Sequence, residues 1–297
     1  MNTQEKQQIA RLDLAVFTKI AQALNDFCNR KGNQNKAANS LKGVSGATIT
    51  QVLKGNWDSI ADKMWRLIKA QIFAKEDWVC VETAAYQTLT ALISDAQEHS
   101  QVYAIIAPAG SGKTKTMQLY EKENPNAYMV QCNEFWNKKA FMGELLAAMG
   151  RDSSGLTVNE MVNEAVRVLK STENPVILLD EFDKVNDQVL YFFITLYNLL
   201  EEHCGIVMCA TDFLEKRIKR GLKLNKKGYK EIYSRIGRNF IEVNAITQAD
   251  CIQICTANGI TTKTDIKAVW ADCEGDLRRV KRKIHALKLA HLEASND

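Results

Sequence analysis

Prolines are almost missing from this chain, three in 297 residues, and glycines number only fifteen. So few chain breakers exclude collagen-like and Pro/Gly-rich disordered classes. No run of about 18 apolar residues occurs, so no membrane span is expected. The opening stretch, Met1 to Gln8, lacks the apolar centre of a secretory signal. Eight cysteines are present, but none forms a Cys-x-x-Cys motif or pairs with histidine at ligand spacing. Zinc ribbons and disulfide frameworks are thereby excluded, and reduced thiols in a cytoplasmic protein are expected.

What is present is hydrophobic residue enough, 46%, for a substantial core in a chain long enough for two domains. Net charge is only +4, yet it is unevenly placed. Residues 1–78 carry 12 Lys/Arg against 7 Asp/Glu, and residues 214–238 carry 10 against 2. Two basic zones on an otherwise acidic body point to polyanion contacts, with a solvated charged face as the plain alternative.

The first segment reads as helical. Leu12, Ala15, Val16, Ile20, Ala23, Leu24 and Phe27 recur at helical spacing. A second helix, a turn at Gly43, Ser45 as N-cap and a third helix with Ile49, Val52 and Leu53 inward follow, then a helix from about Ser59 to Phe73. The stretch from Ala37 or Ala38 to Gly55 resembles the lambda-repressor-like helix-turn-helix class, with an extra residue in or near the turn. That resemblance puts Ser45, Thr48 and Gln51 nearest DNA. A protein-docking use of the same small core is the alternative.

A linker is expected at 75–82 and a helix from Thr83 to Ser100. Beyond it, apolar runs at 102–107, 127–132, 175–180, 205–210 and 239–243 read as five buried parallel strands alternating with helices. After 245 the pattern is helical to the end.

Ala107-Pro-Ala-Gly-Ser-Gly-Lys-Thr114 follows the first of these strands. Small residues let successive amides turn inward on phosphate oxygens, and the next helix adds the positive end of its dipole. Pro108, Ala109, Gly110, Ser111, Gly112, Lys113, Thr114 and Lys115 are the expected nucleotide-binding set. Lys113 would reach the outer phosphates, and Thr114 would ligate Mg²⁺. The run Val176-Ile-Leu-Leu-Asp180-Glu181 supplies the second half: Asp180 beside the magnesium, Glu181 to orient or deprotonate a water. Thr211, at the end of the fourth strand, is a candidate contact to the terminal phosphate or the water, with helix capping as the alternative. Arg235 or Arg238, before the last strand, is expected to serve a neighbour's ATP, with Arg235 preferred. Arg278 at the last helix is a candidate nucleotide contact.

Together these elements resemble the AAA+ ATPases over about residues 80–295. The resemblance implies an α/β fold, a P-loop ATPase with a five-stranded parallel sheet ordered 5-1-4-3-2, a helical lid, and assemblies holding ATP between subunits. With the N-terminal helices the chain is similar to the phage Mu transposition protein B family, whose relatives include TnsC and IstB. The expected division is 1–76 helix-turn-helix, 77–245 nucleotide-binding core, and 246–297 lid.

That resemblance implies an ATPase that forms rings or helical filaments on double-stranded DNA and recruits a DDE transposase, encoded by a phage or mobile element and working in a bacterial cytoplasm. In such assemblies Asn137, Lys138 and Lys139, and the strip with Lys216, Arg217, Lys219, Arg220 and Lys223, are the candidate DNA contacts. A DnaC-like replication loader and an ATP-switched helix-turn-helix regulator are the competing readings.

Overall fold

The computed structural model describes residues 14–72 and 78–294. Leu12 of the first predicted helix, and residues 75–77 of the predicted linker, lie outside the described residues. Two units are distinguished: residues 14–72 with Leu146–Ser154, and Trp78–Leu145 with residues 155–294.

In the first unit four helices, α1 (Leu14–Lys31), α2 (Gln34–Ser40), α3 (Gly46–Leu53) and α4 (Asp62–Ile72), surround one apolar core. Ile20, Leu24 and Cys28 of α1 pack with Ala37, Ile49, Val52, Trp65 and Ile68. Phe17 lies against Trp65 at 4.5 Å between ring centroids, and Trp57 meets both rings edge-on or nearly so. The turn between α2 and α3 needs Gly43, whose φ is +73°. Its far side is fixed by Gln71 of α4, which accepts from Lys42 N at 2.8 Å and donates to Lys42 O at 2.9 Å. Ser45 accepts from Thr48 N at 3.1 Å and so caps α3. Helix α4 starts three residues later than the periodicity predicts. Trp57–Ser59 is a 3-10 turn, pinned by the Trp57 indole donating to Val52 O at 2.9 Å.

The second unit opens with α5 (Ala84–His99), then alternates: β1 (Val102–Ile106), α6 (Lys113–Glu123), β2 (Ala127–Gln131), α7 (Lys138–Ala148), α8 (Val158–Lys170), β3 (Val176–Asp180), α9 (Asp187–Leu200), β4 (Gly205–Ala210), α10 (Asp212–Lys223), α11 (Tyr229–Arg235) and β5 (Ile241–Glu242). All strand pairs are parallel, in the order β2-β3-β4-β1-β5. This is the order the resemblance implies. Every residue of β3 and β4 is buried, as strands covered on both faces must be. Gly205 opens β4 where α5 crosses it; an added Cβ there would lie 2.2 Å from Ala96 O.

Three further helices complete the unit: α12 (Gln248–Ala257), α13 (Lys263–Cys273) and α14 (Leu277–Ala294). They share a small core of their own, built on Ile254, Ile260, Val269, Val280 and Ile284. Thr247 and Asp250 form a reciprocal capping box at the start of α12, as Thr157 and Glu160 do at α8. Seven of the eight cysteines are buried, and all are free thiols. Among the described residues no helix is long and apolar enough to cross a membrane.

Candidate nucleotide site

Parallel strands deliver their C-terminal ends to one edge of the sheet, and ligands of open α/β sheets bind along that edge. Here β1 ends in the glycine-rich loop. Gly110 and Gly112 have φ of +77° and +99°, a backbone region closed to most L residues. An added Cβ on Gly110 would also lie 2.0 Å from Asp276 Oδ1. The start of α14 therefore approaches the loop closely, and Leu277 N donates to Gly110 O at 2.9 Å.

Lys113 folds back along the loop and donates to the carbonyls of Ala107 at 2.7 Å and Pro108 at 2.8 Å. Burial pushes its ammonium below the ordinary lysine value, against the favourable charges of Asp180 and Asp183. Ser111 is buried, and its hydroxyl has no partner among the described residues. Lys115 is exposed on α6.

Asp180 at the end of β3 is fully buried. Its Oδ2 accepts from the Thr114 hydroxyl at 2.6 Å, and its Oδ1 accepts from Glu181 N at 3.0 Å. Burial pushes the Asp180 carboxyl up. A half-buried ammonium held by carbonyls, a buried carboxylate and an orphaned hydroxyl form a donor set that suits a polyphosphate with a divalent cation. Lys113 and the loop amides fit the phosphates; Thr114 and Asp180 fit Mg²⁺.

Glu181 has a left-handed backbone, φ +53°, which swings its side chain off the strand. Its Oε2 accepts from Lys184 Nζ at 2.8 Å and from Gln131 Nε2, on the end of β2, at 3.2 Å. Burial pushes this carboxyl up, but those two hydrogen bonds outweigh it and the net shift is downward. Glu181 thus carries full charge near neutral pH. Gln131 and Lys184 were not foreseen from the sequence; a single amide at a strand end and one lysine carry no pattern.

The remaining candidates divide. Thr211 reaches the same edge, but its hydroxyl donates to Asp183 Oδ2 at 2.7 Å and makes no cap bond to α10. Simple capping is thereby excluded for Thr211. Arg278 is exposed at the start of α14, and its charge acts on both Lys113 and Glu181. Arg235 and Arg238 lie elsewhere. Arg235 lines a cleft of about 630 Å³ with Val102 and Cys204, at the N-terminal ends of β1 and β4. The chain does not bring that edge to its own phosphate loop. There Arg235 donates to Asn198 Oδ1 at 3.0 Å and stacks 5.5 Å above the Tyr197 ring, whereas Arg238 is exposed.

The basic strip is less free than its composition suggests. Arg217 turns inward: it donates to Val185 O and pairs with Asp187, with 24% of its side chain exposed. Its place beside Leu214 and Ile218 on the buried stripe of α10 is the physical reason, and it removes Arg217 from the exposed face. Lys216 and Lys219 pair with Asp212 and Glu215 one turn back. Arg220 and Lys223 are exposed. Lys138 and Lys139 are exposed at the start of α7, where Asn137 accepts from Ala140 N at 2.9 Å and acts as its cap. Phe135, just before them, is 79% exposed, a lone aromatic that no sequence pattern marks. In the first unit Ser45 and Thr48 bond each other at 2.9 Å, and Gln51 accepts from Ser59.

An AAA domain model matches residues 96–218, from the end of α5 through most of α10. The Mu-like prophage FluMu DNA transposition protein B of Haemophilus influenzae is 21% identical over 256 residues, covering 84% of this chain and 87% of that protein. The likeness is thus to an AAA domain within the second unit and, along most of the chain, to a Mu-like DNA transposition protein B. Among solved structures, Cdc6p from Pyrobaculum aerophilum is similar at 19% identity and a TM-score of 0.49, over 69% of this chain and 62% of that one. The RuvB Holliday junction branch migration motor of Thermotoga maritima is similar at 16% identity and a TM-score of 0.40, over 67% and 58%. The chain thus spans about six tenths of the length of either solved structure.

Proposed function

We propose that this protein binds and hydrolyses ATP, assembles on double-stranded DNA with nucleotide between neighbouring copies, and recruits a DDE transposase to that DNA. The observation that carries the hydrolytic reading is the Thr114 hydroxyl 2.6 Å from the buried Asp180 carboxylate, with Glu181 following on the same strand end. The likeness along most of its length to a DNA transposition protein supports the transposition setting.

Magnesium, when bound, supplies charge neutralisation on the outer phosphates. Every other contribution belongs to the chain. Lys113 leaves its carbonyl partners for the β/γ-phosphates, and the loop amides hold the remaining oxygens. Thr114 and Asp180 hold the cation. Glu181, ionised near neutral pH, takes the proton of the attacking water. Arg278 approaches from the lid.

An arginine from a neighbour completes the charge balance. Arg238 suits this better than Arg235, because it is exposed with no side-chain hydrogen bond among the described residues. Arg235, tied to Asn198 and Tyr197, braces the segment that carries it. DNA is read with little sequence preference through Lys138, Lys139, Arg220 and Lys223, which meet phosphates. The helix-turn-helix of the first unit adds a second, weaker contact through Ser45, Thr48 and Gln51.

The test is ATP turnover against protein concentration, with and without duplex DNA. Turnover per subunit should rise with concentration, and Arg238→Ala should abolish that rise while leaving ATP binding intact. A concentration-independent rate would contradict a shared site.

A further inference from the structure

The segment after the acidic strand is held by α10 at two points. Thr211, immediately before that helix, donates to the Asp183 carboxylate at 2.7 Å. Six residues on, the Arg217 guanidinium donates to the carbonyls of Asp183 and Val185 and pairs with Asp187. Residues 183–187, which begin two positions after Glu181, are therefore fixed relative to the end of β4. That end lies between the two halves of the nucleotide site, because β4 separates β3 from β1 in the sheet.

The direction of the Thr211 bond matters. An ionised carboxylate only accepts hydrogen bonds, whereas a hydroxyl has one proton to give and two lone pairs. With its proton committed to Asp183, Thr211 Oγ1 offers only acceptor capacity to anything else beside it. Such an oxygen can take a hydrogen from water. It cannot donate to a phosphate oxygen.

We propose that Asp183 is a positioning residue: it holds the Thr211 hydroxyl as an acceptor, so that Thr211 orients the attacking water and does not grip the terminal phosphate. One water hydrogen points to Thr211 Oγ1 and the other to Glu181. As the water oxygen bonds to phosphorus, the bond from phosphorus to the leaving diphosphate oxygen breaks, and the proton passes to Glu181. Arg217 serves the same end by keeping Asp183 in register with β4.

This inference rests on the ATPase reading, and the two can fail separately. The experiment uses the full chain and measures both steady-state turnover and the affinities for ATPγS and ADP, by displacement of a fluorescent ADP. Thr211→Val should lower kcat by at least about tenfold, the scale of lost orientation, with the ATPγS-to-ADP affinity ratio unchanged within about twofold. Thr211→Ser, which keeps the hydroxyl, should retain most of the turnover. Asp183→Asn keeps a carbonyl acceptor and should also stay near wild type. Asp183→Ala frees the hydroxyl proton and should lower kcat while shifting the affinity ratio toward ATPγS.

A Thr211→Val variant that loses its preference for ATPγS over ADP by tenfold would overturn the inference, since the hydroxyl would then be a phosphate donor. So would normal turnover in Thr211→Val, or an equal loss of both nucleotides that Thr211→Ser fails to restore. Wild-type turnover abolished by Lys113→Ala upholds the ATPase reading whatever the Thr211 variants do. No turnover in the wild type would sink both.

Discussion

The phosphate loop with its acidic strand and the basic strip on α10 both stand out in the sequence, yet they fold in opposite ways. In the first, each chemically distinctive residue turns toward the others: Thr114 meets Asp180, Asp180 meets Glu181 N, and Lys113 curls over its own loop. In the second, the distinctive residues turn to local partners. Lys216 and Lys219 pair one turn back, and Arg217 is drawn inside. A motif whose parts need each other survives folding as a unit. A charge run is only a sum, and the fold spends part of it on its own acids.

Four predictions sharpen that contrast, from the largest effect downward. Lys113→Ala and Glu181→Gln should each lower ATP turnover by about 100-fold or more. Glu181→Gln should still bind ATP, so its complexes with DNA should outlast those of the wild type in a dissociation assay. Turnover near wild type in either variant would break the idea of an interlocked site.

Next, Arg217→Ala should destabilise the fold by about 2 kcal/mol, because it strands the Val185 carbonyl and the Asp187 carboxylate that it serves. Arg220→Ala, on the exposed face, should stay within about 0.5 kcal/mol. Urea unfolding of the two variants measures the difference. Equal midpoints would mean that the strip is uniformly solvated after all.

Third, each phosphate contact removed should flatten the salt dependence of DNA binding by about 0.9 in log–log slope. The Arg220→Ala/Lys223→Ala pair and the Lys138→Ala/Lys139→Ala pair should show this more strongly than Lys216→Ala/Lys219→Ala, whose cations are already partly neutralised. An identical slope change in all three pairs would erase the distinction between free and paired cations.

The smallest effect is a pH dependence. The hydrogen bond from Arg217 holds the Asp187 carboxyl below its ordinary value, with a further bond from the Tyr229 hydroxyl at 3.0 Å. A depressed carboxylate contributes stability that is present above its unfolded pKa of about 3.9 and is lost as pH falls through the folded value. Unfolding midpoints compared at pH 6 and pH 3 should therefore fall further in wild type than in Arg217→Ala. An equal fall in both would place the acid sensitivity elsewhere.

How much could be read beforehand follows the same division. Four strands were legible because buried parallel strands are apolar runs, whereas β5 is a two-residue strand with Ile241 half-buried and Glu242 exposed, not the buried strand expected over 239–243. The loop was legible because its spacing is set by phosphate geometry. The partnership of Thr211 with Asp183, and of Gln131 and Lys184 with Glu181, depends on how neighbouring strand ends sit side by side, which no local pattern encodes. Arg217 is an intermediate case. Its spacing from Leu214, Ile218 and Gly221 marks the buried stripe of α10, while the charge density around it marks an exposed face, and the two signals conflict. Asn137 is similar: it follows a strand and precedes lysines, yet its side chain caps a helix. Helix α4 begins late because Trp57 is anchored on α3 before the chain can turn into it.

The central claim is that nucleotide at this loop decides whether copies of the chain hold a stretch of duplex. Electron microscopy of the full chain with duplex DNA, in ATPγS and in ADP, tests it most directly. Ordered assemblies along the DNA in ATPγS, absent in ADP and absent in Lys113→Ala, are the predicted result. Equal assemblies in both nucleotides, or bare DNA in ATPγS, would contradict it.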